Sequence, residues 1–451
     1  MALTGIQILK MLPKTNCGEC GIPTCLAFGM KVAAGQMEID KCPYVSDEAK
    51  ETIGEASAPP IRTVKFGGGE AALAVGGETC LFRHEKRFEN PTGIAVLVST
   101  GMNSDDVDGR IARFNSLRYE RVGVLMKADL IAVQDSNGDQ GAFTGLVRKV
   151  LDGAADATLI LISEDPAILK AGAELCGARK PLLLGATTGN CDAMADLARE
   201  LSCPLGIKGT DLDNAVSLAE KLLGAGLKDL VIDTGARTAR AALDDNIIAR
   251  RAAITKKFKP LGMPTIAFPA AMTDDPLMEA MVASALIAKY AGIVVLSDLQ
   301  GETLFPLLLE RLNLFTDPQR PMVVKEDIYP INGPGENSPV LITCNFSLTY
   351  FIVSGEVEGS KVPSWLLIKD TEGLSVLTAW AAGKFGADLI AQFIKKGGIE
   401  EKVRHRELII PGYLATIKGE LEEELPNWTI IIGPREAGHM PAFLKEWKPA
   451  A

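Results

Sequence analysis

Between residues 93 and 320, apolar runs and helix-like segments alternate eight times. The runs are "GIAVLVST" (93–100), "ADLIAVQDS" (128–136), "TLILISED" (158–165), "KPLLLGAT" (180–187), "CPLGIKG" (203–209), "DLVIDTGA" (229–236), "PTIAFPA" (264–270) and "GIVVLSD" (292–298). Strands that are apolar throughout belong to a parallel sheet covered by helices. Eight such units predict a (β/α)8 TIM barrel, with a doubly wound open sheet as the alternative. Barrel chemistry sits at the C-terminal ends of the strands. The candidates there are Asp135, Glu164, Asp165, Asp233, Arg237 and Asp298. Asp165, before Pro166, and Asp211 read equally well as helix N-caps. No histidine lies between residues 85 and 404. The barrel is therefore expected to act mainly as a scaffold.

The segment before the barrel has different chemistry. Four of the nine cysteines fall in the first 42 residues, at 17, 20, 25 and 42. Thiolates are soft donors suited to iron–sulfur clusters. Gly18 and Gly21 allow the chain to bend closely around such a group. Four-cysteine zinc sites show a C-x2-C knuckle at each end, and here there is one. A [4Fe–4S] cluster is the favoured occupant, and structural zinc stays open. "GIQILKML" predicts a helix with Ile6, Leu9 and Leu12 near one face, and "PTCLAFGMKVAAGQ" a helix carrying Cys25 in its first turn. Cys80, Cys176, Cys191, Cys203 and Cys344 are scattered singly and read as small apolar residues. A disulfide framework belongs to short secreted chains and does not fit.

Pro59, Pro60 and the glycines of "KFGGGEAALAVGGET" make poor helix or strand interiors. Residues 58–92 are expected to be a linker with a short irregular strand pair, flexible over 54–79. "FGGGEAA" lacks the lysine and hydroxyl of a phosphate loop, and "INGPGENS" does not match a dinucleotide loop. A second boundary falls near residues 315–339. Beyond it, strand-like runs appear at "PVLITCNF", "YFIVSGEVE", "SWLLIKD", "ELIIPGYLA" and "WTIIIGP". One long helix is expected over "LSVLTAWAAGKFGADLIAQFIKK" and another near "PAFLKEW". The predicted domains are 1–57, a linker at 58–92, 93–320, and a small α/β domain at 325–451. The loop after Asp370 opens a helix, so its N–H groups could face a polar ligand edge. An ordinary turn capped by Thr371 is the plainer reading.

The net charge of −10 and the lack of a basic block exclude the usual nucleic-acid binders. No apolar run is long enough to span a bilayer, and the N-terminus lacks a signal-peptide pattern. A cytoplasmic protein without membrane contact is expected.

The order of parts resembles one family. A C-x2-C-x4-C-x16-C module, an eightfold α/β region and a tail with "NFSLTYF", "DTEGLSVLTAWAAGKF" and "GPREA" look like large subunits of corrinoid iron–sulfur proteins of the reductive acetyl-CoA pathway. The resemblance covers essentially the whole chain. It implies a [4Fe–4S] cluster on Cys17, Cys20, Cys25 and Cys42. It implies a cobalamin-type corrinoid on a Rossmann-like C-terminal domain, shared with a small partner subunit. The implied corrinoid contacts are Asn345, Thr371, Gly373, Leu374, Ser375, Gly412, Gly433, Pro434, Arg435, Glu436 and Ala437, with Thr371 nearest the cobalt. The implied role is a methyl carrier rather than a stand-alone enzyme. The methyl group would come from methyltetrahydrofolate through a methyltransferase and go to acetyl-CoA synthase/CO dehydrogenase. A low-potential electron donor would feed the cluster, which would return Co(II) to Co(I).

Many cobalamin proteins ligate cobalt with the histidine of D-x-H-x-x-G. His84, His405 and His439 lie in "FRHEKRF", "VRHRELI" and "AGHMPAF", so a base-off corrinoid without a histidine ligand is expected. Two rivals remain: a barrel methyltransferase with an appended iron–sulfur or zinc module, and an electron-transfer adaptor without corrinoid.

Overall fold

The computed structural model describes residues 3–33, 36–121 and 124–449. The chain divides into two units. One takes Met1–Leu117 and Lys127–Phe315, the other Arg118–Met126 and Thr316–Ala451. Among the described residues no helix is long and apolar enough to cross a membrane.

The first unit contains the barrel. Its strands are β1 (Gly93–Ser99), β2 (Leu130–Gln134), β3 (Thr158–Ile162), β4 (Leu182–Ala186), β5 (Leu205–Lys208), β6 (Leu230–Asp233), β7 (Ile266–Ala267) and β8 (Ile293–Leu296). Each lies inside one of the eight apolar runs. They pair in parallel in the order β6-β5-β4-β3-β2-β1-β8-β7. The two ends meet where Ile232 bridges to Thr265 and donates its N–H to the Pro264 carbonyl at 2.9 Å. That contact nearly closes the ring and removes the open-sheet alternative.

The short strand pair expected within residues 58–92 is present, but from Ile61 onward the segment packs against the barrel. Val64–Phe66 and Leu73–Val75 form an antiparallel hairpin. Val64, Phe66 and Val75 are buried in the same apolar cluster as Leu130, Ile160, Leu182 and Ile293. Gly67 N–H donates to the Lys180 carbonyl and Arg62 N–H to that of Gly262, both just before barrel strands. The segment therefore seals the N-terminal floor of the barrel, because alternating "VKF" and "LAV" offer it an apolar face. It is pinned further on. Arg250 and Glu78, both buried, pair at 3.0 Å. Arg250 Nε donates to the Cys80 carbonyl at 2.9 Å. The guanidinium also lies 5.0 Å from the Phe88 ring centroid and 4.6 Å from that of Tyr290.

The N-terminal segment packs helices Gly5–Met11, Cys25–Ala33 and Asp47–Ser57 around Ile8, Phe28 and Ile53. Ile6, expected on the inner face, is 61% exposed, whereas Ile8 and Leu12 are buried. The pair four residues apart faces inward.

The second unit has strands β9 (Asp327–Ile331), β10 (Val340–Cys344), β11 (Ser364–Lys369), β12 (Glu407–Ile410) and β13 (Thr429–Ile432) in the order β9-β11-β10-β12-β13. All neighbours are parallel except the edge strand β9, which is antiparallel to β11. Pro330 in β9 is tolerated because an edge strand leaves one side unpaired. The chain leaves β10 toward β11 on one side and returns to β12 on the other, so the strand order reverses between β10 and β12.

Two readings change here. "YFIVSGEVE" is not a strand but lies in the helix Ser347–Ser360, where Val357 is buried and Ile352 exposed. Its β-branched residues raised strand propensity, but their helical spacing fits packing on the sheet. The long helix breaks into Val376–Ala381 and Ala387–Gly397 around Gly383, which has φ 70°, and the buried Phe385. The hairpin Tyr119–Arg121 and Val124–Met126 belongs to this unit, with the Arg121 guanidinium 4.9 Å from the Phe351 ring centroid.

Candidate functional site

The N-terminal thiols converge on one loop system. Gly18 and Gly21 have φ 76° and 80°, the left-handed region that suits glycine, and Gly21 N–H donates to the Gly18 carbonyl at 2.8 Å. Asn16 Oδ1 accepts the Cys25 N–H at 2.8 Å and so fixes the start of the helix that carries Cys25. Tyr44 OH donates to Glu19 at 2.8 Å, joining the Cys17–Cys25 loop to the segment after Cys42. Glu19 pushes the Tyr44 phenol up, and the Cys17 and Cys42 thiols beside it add to the effect. Cys25 and Cys42 are buried, Cys20 half-buried and Cys17 exposed. Cys20, Cys25 and Cys42 belong to one apolar cluster. Among the described residues no three His, Cys, Asp or Glu side chains are grouped as a metal would require. The structure thus places the sulfurs on one loop system without setting them at coordinating distance. A donor set of four thiols, with no histidine in the segment, fits an iron–sulfur cluster.

The second candidate is the crevice outside the carboxyl ends of β10 and β12. Ligands of open α/β sheets bind where strand order reverses. A cavity of about 330 Å³ opens there. One wall is helix Ser347–Ser360, through Thr349, Ile352 and Val353. The other is made by Pro411, Tyr413 and the loop Pro434–Gly438, with Val376 also on the lining. Leu348, Ile352, Leu377, Trp380 and Tyr413 are all more than 40% exposed in this unit. Of these, Ile352 and Tyr413 line the crevice itself, an exposed apolar lining of the kind that marks a surface to be covered.

The expected contacts divide into two groups. Pro434, Arg435, Glu436 and Ala437 line the cavity. Asn345, Thr371, Gly373, Leu374 and Ser375 do not, although Val376 beside Ser375 does. Asn345 is 3% exposed and Thr371 fully buried. Asn345 Oδ1 accepts the N–H groups of Thr371 and Gly373, both at 3.0 Å. The Thr371 hydroxyl lies 2.9 Å from that oxygen and 2.8 Å from the Leu374 carbonyl. Asn345 Nδ2 donates to Asp370 at 2.7 Å. These residues shape the loop after β11. Gly412 and Gly433 act by close approach. A Cβ on Gly412 would sit 2.5 Å from the Gly433 carbonyl oxygen and 2.8 Å from the Arg435 nitrogen. The Gly412 N–H donates to the Pro434 carbonyl at 3.1 Å.

Sequence reasoning missed Thr349, Ile352, Val353, Val376 and Met440 as cavity residues. Ile352 and Val353 were hidden by the strand reading of "YFIVSGEVE", whereas Thr349 lies in "NFSLTYF", where only Asn345 was singled out. Val376 lies within "DTEGLSVL" beside the named Ser375 but was not singled out, and Met440 lies outside the recognisable stretches.

The barrel mouth holds a cleft of about 310 Å³ lined by Gln134, Asp135, Ser163, Glu164 and Lys208. Its acids are already engaged. Asp135 accepts from Ser163 Oγ at 3.0 Å and from the Asn137 and Gly138 N–H groups. Glu164 pairs with Lys208 at 2.6 Å, Asp233 with Arg237 at 2.7 Å, and Asp298 with Arg113 at 2.9 Å. Asp165 caps a helix through the Ala167 N–H, as its place before Pro166 suggested.

Comparison with known proteins covers the same regions. A family model for the CO dehydrogenase/acetyl-CoA synthase delta subunit matches residues 63–444, and one for an Fe-S cluster matches residues 12–44. The chain is 46% identical over 445 residues to the corrinoid/iron-sulfur protein large subunit of Moorella thermoacetica, covering 99% of each chain. It is 35% identical to the acetyl-CoA decarbonylase/synthase complex subunit gamma of Methanopyrus kandleri, covering 98% of each. It is 32% identical to the corresponding gamma subunit of Methanothermobacter thermautotrophicus, covering 98% of this chain and 99% of that one.

Proposed function

The chain belongs to the family of corrinoid/iron-sulfur protein large subunits, and on that premise we propose that it is the methyl-carrying subunit of an acetyl-CoA pathway. It would work with a small partner subunit between a methyltetrahydrofolate methyltransferase and acetyl-CoA synthase/CO dehydrogenase. When bound, the corrinoid would supply the carrier cobalt and a [4Fe–4S] cluster the single electron that restores Co(I). The rest falls to this chain's own residues. Cys17, Cys20, Cys25 and Cys42 would hold the cluster, with Asn16 and the Gly18–Gly21 turn fixing their loop.

The observation that carries the reading is the apolar crevice at the β10/β12 reversal, with exposed Leu348, Ile352, Leu377, Trp380 and Tyr413 in the same unit. A cavity of about 330 Å³ is too small for a whole corrinoid, so it would take one part while the ring lies over the apolar surface. Asn345 and Thr371 would keep the β11 loop rigid beneath it.

Two of the three histidines, engaged elsewhere, support a base-off corrinoid without a histidine ligand, and His439 is the one to test. His405 Nε2 lies 2.8 Å from the Ser338 carbonyl, and its Nδ1 accepts the Glu407 N–H at 3.2 Å. His84 stacks on Phe82. His439 is exposed on the loop after β13. His439→Ala should therefore leave the spectrum of bound Co(II) unchanged, and a changed spectrum would make His439 a ligand.

The deciding experiment is metal analysis of the chain purified with its partner. About four irons per cobalt without zinc is expected for one cluster beside one corrinoid. A colourless protein holding one zinc would overturn the reading. Methyl transfer from methyltetrahydrofolate by this chain alone, without cobalt, would favour a barrel enzyme.

A further inference from the structure

The loops after β12 and β13 are fused at their roots. Gly412 N–H donates to the Pro434 carbonyl, and Gly433 N–H to the Ile410 carbonyl at 2.9 Å. Farther out, two side chains continue the seam. Tyr413 OH donates to Glu436 Oε1 at 2.7 Å, and the Arg435 guanidinium lies 6.0 Å from the Tyr413 ring centroid. All three residues line the cavity, opposite Thr349, Ile352 and Val353.

The seam is unusual in being open to solvent. Tyr413 is 44% exposed, and Arg435 and Glu436 are exposed too. A hydrogen bond between exposed side chains competes with water and orders two rotamers, so it adds little to a bare fold. The same bond strengthens when a ligand excludes water, because the local dielectric falls. A contact that tightens only under a ligand must, by linkage, also hold that ligand more tightly.

We propose that Tyr413 and Glu436 form a ligand-coupled clasp, marginal in the bare chain and firm beneath a bound corrinoid, which controls how fast that ligand leaves. The proposal rests on the corrinoid reading above. Glu436 is then a positioning residue: its carboxylate holds Tyr413, and the phenol ring becomes part of the cavity wall. Glu436 pushes the Tyr413 phenol up, so the donor proton stays in place through the neutral range.

The test uses the full chain purified with its partner subunit and loaded with hydroxocobalamin. Retained cobalt is followed over time by rapid gel filtration, and ligand-free melting is measured in parallel. Tyr413→Phe and Glu436→Ala should release cobalt about 5- to 10-fold faster than wild type, within the net range of a single hydrogen bond. Glu436→Gln, whose amide oxygen still accepts from the phenol, should stay within about twofold. Ligand-free melting should be unchanged in all three. Wild-type release by Tyr413→Phe would overturn the clasp and leave the corrinoid reading standing. A lowered ligand-free melting temperature in Tyr413→Phe would make the contact an ordinary structural one. If wild type retains no cobalt under any loading condition, the corrinoid reading itself falls.

Discussion

The carboxamide oxygen of Asn345 accepts the backbone N–H of Thr371 at 3.0 Å and lies 2.9 Å from its hydroxyl. A residue at the end of β10 thereby shapes the loop that follows β11. Asn345→Ala would leave the buried N–H groups of Thr371 and Gly373 without an acceptor. Each such orphan costs about 1–3 kcal/mol, so a loss of about 2–6 kcal/mol is expected in urea unfolding of the second unit. Asn345→Asp keeps the acceptor but sets a second carboxylate against Asp370. It should recover stability in acid, where one of the two is protonated.

Gly412→Ala tests the other side of the crevice. The added methyl meets backbone rather than a flexible side-chain end. Overpacking of this kind costs about 1–3 kcal/mol. Urea unfolding should show that loss, and corrinoid retention should fall with it because the cavity wall moves.

Residues 78–92 should behave as part of the barrel. In wild type they should resist a nonspecific protease. Arg250→Leu leaves Glu78 buried without its partner, a change that costs about 3–5 kcal/mol. Urea unfolding reads the loss, and protease cuts between 78 and 92 should then appear. Equal resistance in both proteins would remove the pinning role of Arg250.

Glu279 gives the barrel a pH dependence. Burial raises its carboxyl above the ordinary 4.5, although it accepts the Ser297 N–H and hydroxyl, both at 2.6 Å, and faces Arg110 as well as Asp298. Just above pH 4.5 the folded chain keeps a proton that the unfolded chain has lost. This group's contribution therefore falls as pH rises from 4.5 and levels off above the folded pKa. Glu279→Gln should flatten that part of a stability–pH curve.

The cysteines should separate by reactivity. Burial pushes the Cys176 thiol up to about 12, whereas Cys17 is exposed. At pH 8 in iron-free protein, an alkylating reagent should label Cys17 first and leave Cys176 silent until unfolding. Loading with iron and sulfide should protect Cys17. Unchanged labelling would exclude it as a ligand.

How much was legible depended on whether a pattern had a local cause. The barrel strands were readable because a run such as "TLILI" is buried on both faces, which leaves a continuous apolar signature. The cysteine spacing was readable because ligand spacing is itself a sequence property. A short strand pair was expected among the glycines, but three residues of pattern per strand do not reveal that Val64, Phe66 and Val75 pack into the barrel. Ile352 and Val353 were misplaced because β-branched residues suit strands and only packing made them helical. Asn345 was assigned to a ligand edge. That its carboxamide holds Thr371 and Gly373, from a loop more than twenty residues on, was not legible because no spacing rule links them.

The strand pair Tyr119–Arg121 and Val124–Met126 orders events in time. Its residues leave the ribosome long before residue 316, yet they share a compact unit with the chain from Thr316 onward. The barrel segments after Met126 are synthesised while Arg121 waits for the ring of Phe351. The second unit closes late and through a contact distant in sequence, the kind that folds slowly. A fragment beginning at residue 325 would start without that piece, and its helix Ser347–Ser360 would meet water where Arg121 should lie.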